Sequence, residues 1–250
     1  MQNNTRKSLL RWSEFRKSSP RIPFEVISKE SSSLPAVEII RNQSRYGRML
    51  KRIGDVIFSM LVLSLGFPIF ILIGILVRLS SPGPVFYIQK RVGRNYKEFG
   101  CIKFRTMYED ADELLPNLLD RYPLMRKEFE KDCKLRHDPR ITKLGRFLRR
   151  SSLDELPQFF NILKGEMSVV GPRPIVDNEI NKYNLFMEEV ISVRPGLTGL
   201  WQVSGRNNLS YKKRVQLDLF YARNRNFILD LEIIILTLGV LLFPMDRGAF

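Results

Sequence analysis

Apolar positions are spread unevenly along this chain. Val56 to Val77 is an apolar run that no charge interrupts, with Pro68 in its middle. Arg41, Arg45, Arg48, Lys51 and Arg52 precede it, and Arg78, Lys90, Arg91, Arg94 and Lys97 follow it. About 20 apolar residues suffice to cross a bilayer as a helix. Lys/Arg-rich flanks belong on the cytoplasmic side, so a straight span would put one basic flank on the wrong side. A proline removes one helical hydrogen bond and bends the helix. The pattern therefore predicts a segment that enters the membrane, bends at Pro68 and leaves by the same face.

Elsewhere the pattern predicts short elements. Ser80-Ser81-Pro82-Gly83-Pro84 is a turn cluster. Val85 to Ile88 and Gly100 to Phe104 read as strands joined through Gly93-Arg94-Asn95. In Lys103-Phe104-Arg105, alternation sends the cations to one face and Phe104 to the core. Residues 107–135 read as charged helix interrupted by Pro116 and Pro123. Further helices are expected from Ser152 toward Leu163, over 177–192 and over 210–225, with a glycine-punctuated loop over 194–208. Ile233 to Phe243 is apolar but too short to cross a bilayer, which suggests an interfacial or buried helix against the membrane segment. The expected fold class is α/β, mixed and mostly helical. It comprises a flexible basic arm over 1–45, a re-entrant membrane hairpin over 46–80 and a domain of short strands and interfacial helices over 81–250.

Charge narrows the partners. A formal net charge of +15 in 250 residues implies an anionic one. Beside a membrane segment, lipid headgroups and lipid-borne phosphates outweigh nucleic acid. The two cysteines, Cys101 and Cys133, have no metal-type spacing and suit a reducing compartment. Nothing at the start resembles a cleavable signal peptide. With His137 the only histidine, a histidine-based triad or histidine-rich metal site is excluded.

Asp154-Glu155 admits two readings. Ser152-x-x-Glu155 matches a capping box, in which Glu155 turns back to the cap residue. Alternatively, Arg146, Arg149 and Arg150 precede the pair and Gly171-Pro172-Arg173-Pro174 follows it. Carboxylates among arginines at a helix N-terminus suit a phosphate and a hard divalent cation together. One carboxylate would then attack phosphorus while the other holds the metal. The prolines fix the backbone on both sides of Arg173. The loop Arg194 to Arg206, with its glycines and Trp201, suits a phosphate and a base or sugar, though it carries no Walker A or dinucleotide fingerprint.

Taken in order, the motifs resemble those of the bacterial sugar transferases, or monotopic phosphoglycosyl transferases. They are Lys51-Arg52-Ile53-Gly54-Asp55, Ser81-Pro82-Gly83-Pro84-Val85-Phe86, Gln89-Lys90-Arg91-Val92-Gly93, Lys103-Phe104-Arg105-Thr106-Met107 and Asp138-Pro139-Arg140-Ile141-Thr142. Ser152-Leu153-Asp154-Glu155-Leu156-Pro157-Gln158, Asn161 to Ser168, Gly171 to Pro174 and Arg194 to Gly199 complete the set. The resemblance covers residues 48–250. It implies transfer of a sugar 1-phosphate from a UDP-sugar to undecaprenyl phosphate, with release of UMP, at the cytoplasmic face of a bacterial inner membrane. The product would start a glycan such as exopolysaccharide, capsule or O-antigen. It also implies Asp154 as nucleophile and Glu155 as its partner acid, the two associated with Mg2+. Lys103, Arg105, Arg149 and Arg173 would contact phosphates, and the stretch Gln202 to Arg206 would lie near the nucleotide sugar. Gly199 to Arg206 and the terminal Gly248-Ala249-Phe250 resemble the hexose-1-phosphate branch, with galactose or glucose. Homodimer formation stays open. Where some members have Ser-Pro at the membrane bend, this chain has Phe67-Pro68, and phenylalanine offers no hydroxyl to a freed carbonyl. The contrasting reading is a basic, membrane-tethered scaffold without catalysis.

Overall fold

The apolar run lies in a single helix, α1 (Arg45–Ser80), in a computed structural model that describes residues 45–132, 135, 137–205 and 209–242. The arm expected ahead of α1, Cys133 and the terminal Gly248-Ala249-Phe250 lie outside those residues. α1 is a helix of 36 residues and continues through Pro68. It is one helix with a proline inside, where the hairpin reading pictures two arms. Pro68 has no N–H, so the Ser64 carbonyl one turn earlier loses its helical donor. Ile73 and Val77 are buried, whereas Leu65, Phe67, Ile69, Leu72 and Ile75 stay exposed. Of the most apolar 18-residue window, only 11% is buried. An apolar surface of that extent marks contact with a membrane or a partner.

The chain divides into two compact units. One takes the described residues up to Leu61, Lys90–Gly100 and those from Phe159 onward; the other takes Val62–Gln89 and Cys101–Gln158. The two strands expected after the turn are β1 (Phe86–Val92) and β2 (Glu98–Phe104), longer than predicted and paired as a hairpin through Gly93. Like α1, the hairpin gives residues to both units.

In the second unit, α2 (Ala111–Arg121) and α3 (Pro123–Asp132) replace the interrupted helix of the prediction. Pro123 does start a new helix, as a proline fits the first turn. Pro116 does not interrupt α2: the residue and Asp112, whose carbonyl loses its donor, are both exposed, so water can serve that carbonyl. α4 (Lys143–Ser151) begins at Thr142, whose hydroxyl accepts from the Gly145 N–H at 2.8 Å. Gly145 packs against the Thr106 backbone so closely that a Cβ would collide with the carbonyl. Asp138 accepts Nε and Nη2 of Arg140 at 2.9 and 2.7 Å, both residues buried, and so secures the turn into α4. Ile73, Val77, Phe104 and Leu148 form this unit's core, with Phe70 tilted on Phe104 at 4.8 Å between centroids. Phe104 thus takes the core position its alternation predicts.

In the first unit, α5 (Gln158–Lys164) leads to β3 (Ser168–Val170). The single helix expected over 177–192 is instead broken into one-turn pieces, including α6 (Ile180–Tyr183) and α7 (Met187–Ile191). Asn184, at φ 49°, is incompatible with a continuous helix. The loop expected over 194–208 contains β4 (Gly196–Thr198) and α8 (Leu200–Ser204). β4 pairs parallel with β3, Ser168 opposite Gly196 and Val170 opposite Thr198. Gly196 lies so close to the Gly171 backbone that no side chain fits there. The glycines therefore serve strand contact as well as turning. α9 (Tyr211–Asn224) agrees with its prediction, and α10 (Phe227–Leu242) starts six residues earlier than the apolar stretch suggested.

Asp55 lies four residues after Lys51 and three after Arg52, which brings it onto one face of α1 with each of them. Lys51 pairs with Asp230 of α10 at 2.7 Å. Asp230 also lies 2.6 Å from the Tyr221 hydroxyl. Arg52 donates to the Ile162 and Leu163 carbonyls at the C-terminal end of α5 (2.5 and 2.8 Å), a favourable place for a cation. Asp55 accepts from Ser168 Oγ at 2.8 Å and from the Val169 N–H at 3.1 Å, all buried. Asp55→Ala leaves the buried Val169 N–H without its acceptor, while Ser168 Oγ keeps the Val170 carbonyl at 3.0 Å. The substitution is expected to cost about 1–3 kcal/mol of stability, read as a lowered midpoint in thermal or denaturant unfolding of the full chain.

Candidate active site

The acidic pair sits where α4 ends. Ser152 is left-handed (φ 58°), and its N–H closes the helix on the Leu148 and Arg149 carbonyls. A positive φ at serine is mildly strained and turns the chain sharply. Leu153–Glu155 then forms a single 3-10 turn, and α5 begins at Gln158, after Pro157. The expected continuous helix from Ser152 is therefore split in two. The capping box is absent as well: the Ser152 side chain makes no capping hydrogen bond. Glu155 instead receives the Lys103 ammonium at 2.7 Å.

Asp154 is buried beside Glu155. Desolvation, then the neighbouring Glu155 charge, push its carboxyl up to about 6, against the pull of Lys103 and Arg149. Arg149 is itself half-buried, and desolvation lowers its pKa although the Asp154 and Asp138 carboxylates oppose this. Its Nε donates to Thr106 Oγ1 at 2.9 Å, which fixes the guanidinium. Lys103 and Arg149, both predicted phosphate ligands, are thus gathered around the acidic pair within one unit. Arg105 is used differently. Its guanidinium donates to the Ser81 and Pro82 carbonyls and ties the turn after α1 to β2. Its Nε is buried with no hydrogen-bond partner.

A second cluster lies in the other unit. Arg173 and Arg214 both approach the Trp201 ring, their guanidinium carbons 5.6 and 5.0 Å from its centroid. Gln202 directs Nε2 toward the Leu197 carbonyl at 3.5 Å, while its Oε1 is buried without a partner. Asp218 is buried beneath the Arg173 backbone and accepts the Tyr183 hydroxyl at 2.9 Å. Burial pushes its carboxyl up to about 8. Arg206 falls outside the described residues. His137 is exposed and Cys101 buried. Sequence reasoning missed Arg214, Thr106 and Asp218. Thr106 lay inside a quoted motif, but nothing in the spacing of residues 210–225 pointed Arg214 toward Trp201.

No group of three or more His, Cys, Asp or Glu residues suited to a metal occurs among the described residues. Two adjacent carboxylates still fit Mg2+, which characteristically takes one or two protein carboxylates and completes its shell with substrate phosphate and water. Asp154 lies beside the Glu155 carboxylate, with Lys103 and Arg149 as the neighbouring cations.

A sequence profile described as "Bacterial sugar transferase" matches residues 46–244. The undecaprenyl-phosphate galactose phosphotransferase of Salmonella typhimurium is 46% identical over 198 residues, 79% of this chain but 41% of the relative. The exopolysaccharide production protein ExoY of Rhizobium meliloti is 45% identical over 204 residues, 82% of this chain and 89% of the relative. The UDP-glucose:undecaprenyl-phosphate glucose-1-phosphate transferase of Escherichia coli is 36% identical over 84% of this chain and 44% of its own length. The chain thus spans less than half of two of these three relatives.

Because the folded state favours neutral Asp154, it binds that proton more tightly than the unfolded chain does. Stability from this group is present at low pH and falls as pH rises from about 4 through about 6. Asp154→Asn carries no such penalty. It is expected to be more stable than the parent chain at pH 8, by up to about 3 kcal/mol, with the gain vanishing below pH ~4. Denaturant unfolding of both chains across this range checks it; a pH-independent difference would exclude burial of the charge as the cause.

Proposed function

The chain belongs to the bacterial sugar transferases, and on that footing we propose that it transfers a hexose 1-phosphate, galactose or glucose, from a UDP-sugar to undecaprenyl phosphate. The observation that carries this is the buried Asp154 beside Glu155, with Lys103 bound to Glu155 and Arg149 locked on Thr106. The ionised Asp154 carboxylate attacks the β-phosphorus of the UDP-sugar. The P–O bond to the α-phosphate breaks, UMP leaves, and the sugar phosphate stays on Asp154 as an acyl phosphate. An oxygen of undecaprenyl phosphate then attacks that phosphorus, and the P–O bond to Asp154 breaks to give the diphosphate-linked sugar. Arg149, held rigid before substrate arrives, stabilises charge on the equatorial oxygens at little reorganisation cost. Lys103 positions Glu155 and adds positive charge. Mg2+, held by Asp154 and Glu155, would neutralise phosphate oxygens and aid the departure of UMP. Arg173 and Gln202, with Arg206 following them in sequence, are read as the nucleotide-sugar contacts. The Trp201 ring, approached by two arginines, suits an anionic donor with a flat base.

α1 is the membrane element in this reading. Its apolar surface is exposed, yet polar contacts bind it at both ends. Near the start these come from Lys51, Arg52 and Asp55, and near the exit Arg78 donates to the Gly83 carbonyl at 2.6 Å. The basic flanks on both sides of the apolar run support a helix that re-enters at the cytoplasmic face. A second reading shares the key observation: a carboxyl near 6 also suits a general base, which would activate undecaprenyl phosphate for direct attack in a ternary complex.

Kinetics separate the two. With UDP-galactose, UDP-glucose and undecaprenyl phosphate in detergent, UMP release is expected to follow ping-pong kinetics, and mass spectrometry should find a hexose phosphate on Asp154 without acceptor. Asp154→Asn should lower turnover by at least ~10³-fold, and kcat/KM of the parent should fall as pH drops through about 6, where Asp154 becomes neutral. Chelation of Mg2+ should abolish release. Near-normal turnover by Asp154→Asn would exclude both roles for this residue.

A further inference from the structure

A cavity of about 260 Å³ opens beside the first turns of α1, and its lining is strongly cationic. Arg48, Lys51 and Arg52 come from α1, Arg94 from the β1–β2 turn, Arg194 from the segment before β4, and Arg225 from the end of α9. All six belong to one compact unit. None belongs to the acidic pair or to the Trp201 cluster.

Lys51 is paired with Asp230, whereas Arg94 and Arg194 are held but not neutralised. Arg94 Nε donates to the Ser192 carbonyl at 3.0 Å, and Arg194 Nε to the Gly165 carbonyl at 2.8 Å. Those bonds orient the guanidinium groups without cancelling their charge. Among the described residues, Arg48, Arg94 and Arg194 have no carboxylate within 4.0 Å. The one acid in the lining, Asp55, is already engaged by Ser168 and Val169. Desolvation, then repulsion from Arg194 and Arg48, lowers the pKa of Arg94, and desolvation with repulsion from Arg94 and Arg48 lowers that of Arg225 against the pull of Tyr221 and Asp230. Guanidinium groups from separate elements that converge on one cavity despite repulsion form a receptor for a compact anion with several oxygens.

We infer that this cavity binds a phosphate group at the polar end of α1. Phosphate presents acceptors in several directions, which a planar carboxylate does not, and so can engage arginines arriving from α1, the hairpin turn and the end of α9. The position favours a lipid headgroup phosphate as its source, because the apolar surface of α1 begins within two turns of Arg48. The site would then fix the depth and rotation of α1 at the membrane surface through a bidentate contact, in addition to diffuse charge attraction. This inference is independent of the reaction proposed above, since its readout needs neither donor nor acceptor.

Isothermal titration calorimetry on the full chain in neutral detergent tests it, with inorganic phosphate in one arm and dihexanoyl phosphatidylglycerol in the other. Saturable binding weakened about tenfold or more by Arg94→Gln is expected, the loss of one charge-assisted hydrogen bond. Arg48→Gln, at an exposed position on α1, is expected to act in the same direction and serves if Arg94→Gln does not fold. Binding of the phospholipid alone supports a headgroup; binding of both probes supports the phosphate site with a soluble source admitted. Failure of both probes to bind, or affinities unchanged in whichever of these variants folds, would overturn it.

Discussion

One polar face of α1 ties together three elements of the first unit. An apolar helix gains nothing by being near a polar domain unless specific bonds hold it there, and Lys51, Arg52 and Asp55 supply them. Each reaches a different element: α10, the end of α5, and β3. Arg52 gives the Leu163 carbonyl at the end of α5 a donor and adds a second to the Ile162 carbonyl, which also accepts the Gly165 N–H. Asp55 satisfies a buried backbone N–H that the short β3 does not use in its own pairing. The membrane helix is thereby joined to the element that follows the acidic pair.

The acidic pair illustrates the opposite economy. A left-handed serine, a single 3-10 turn and a proline place Asp154 in a buried position where its charge is disfavoured. Burial disfavours the charge of Asp154, so the arrangement opposes the ionised carboxylate. Sites that carry chemistry commonly hold such locally unfavourable features, supported by a rigid surround. Here the surround includes the buried Asp138–Arg140 pair and the Thr142 cap that together set α4, and with it Arg149.

Much of the local structure was legible in sequence. β1 and β2, the turn after α1, α9 and the core placement of Phe104 all follow from short-range periodicity and turn chemistry. The errors share a cause. The capping box at Ser152 and the unbroken helix over 177–192 were local expectations that tertiary contacts overrode: Lys103 claimed Glu155, and Asn184 adopted a backbone angle no helix admits. Pro116 failed as a breaker because Asp112, whose carbonyl lost its donor, lies at the surface. The glycines of residues 194–208 looked like loop punctuation, yet Gly196 is required by a strand packed on the Gly171 backbone.

What the sequence determined by itself was the cast: an apolar helix with basic flanks, a carboxylate pair among cations, and an ordered set of motifs that mark the family. These are properties of residue type and spacing, which need no third dimension. Only the tertiary structure decided which residues meet. It gave Lys51-Arg52-x-x-Asp55 the role of an anchor, turned Arg105 to backbone carbonyls, set Arg149 on Thr106, and gathered arginines from distant segments around one cavity. Those outcomes depend on contacts between residues dozens of positions apart, and on burial, which sets the protonation of Asp154 and Asp218. Neither is encoded in any local pattern.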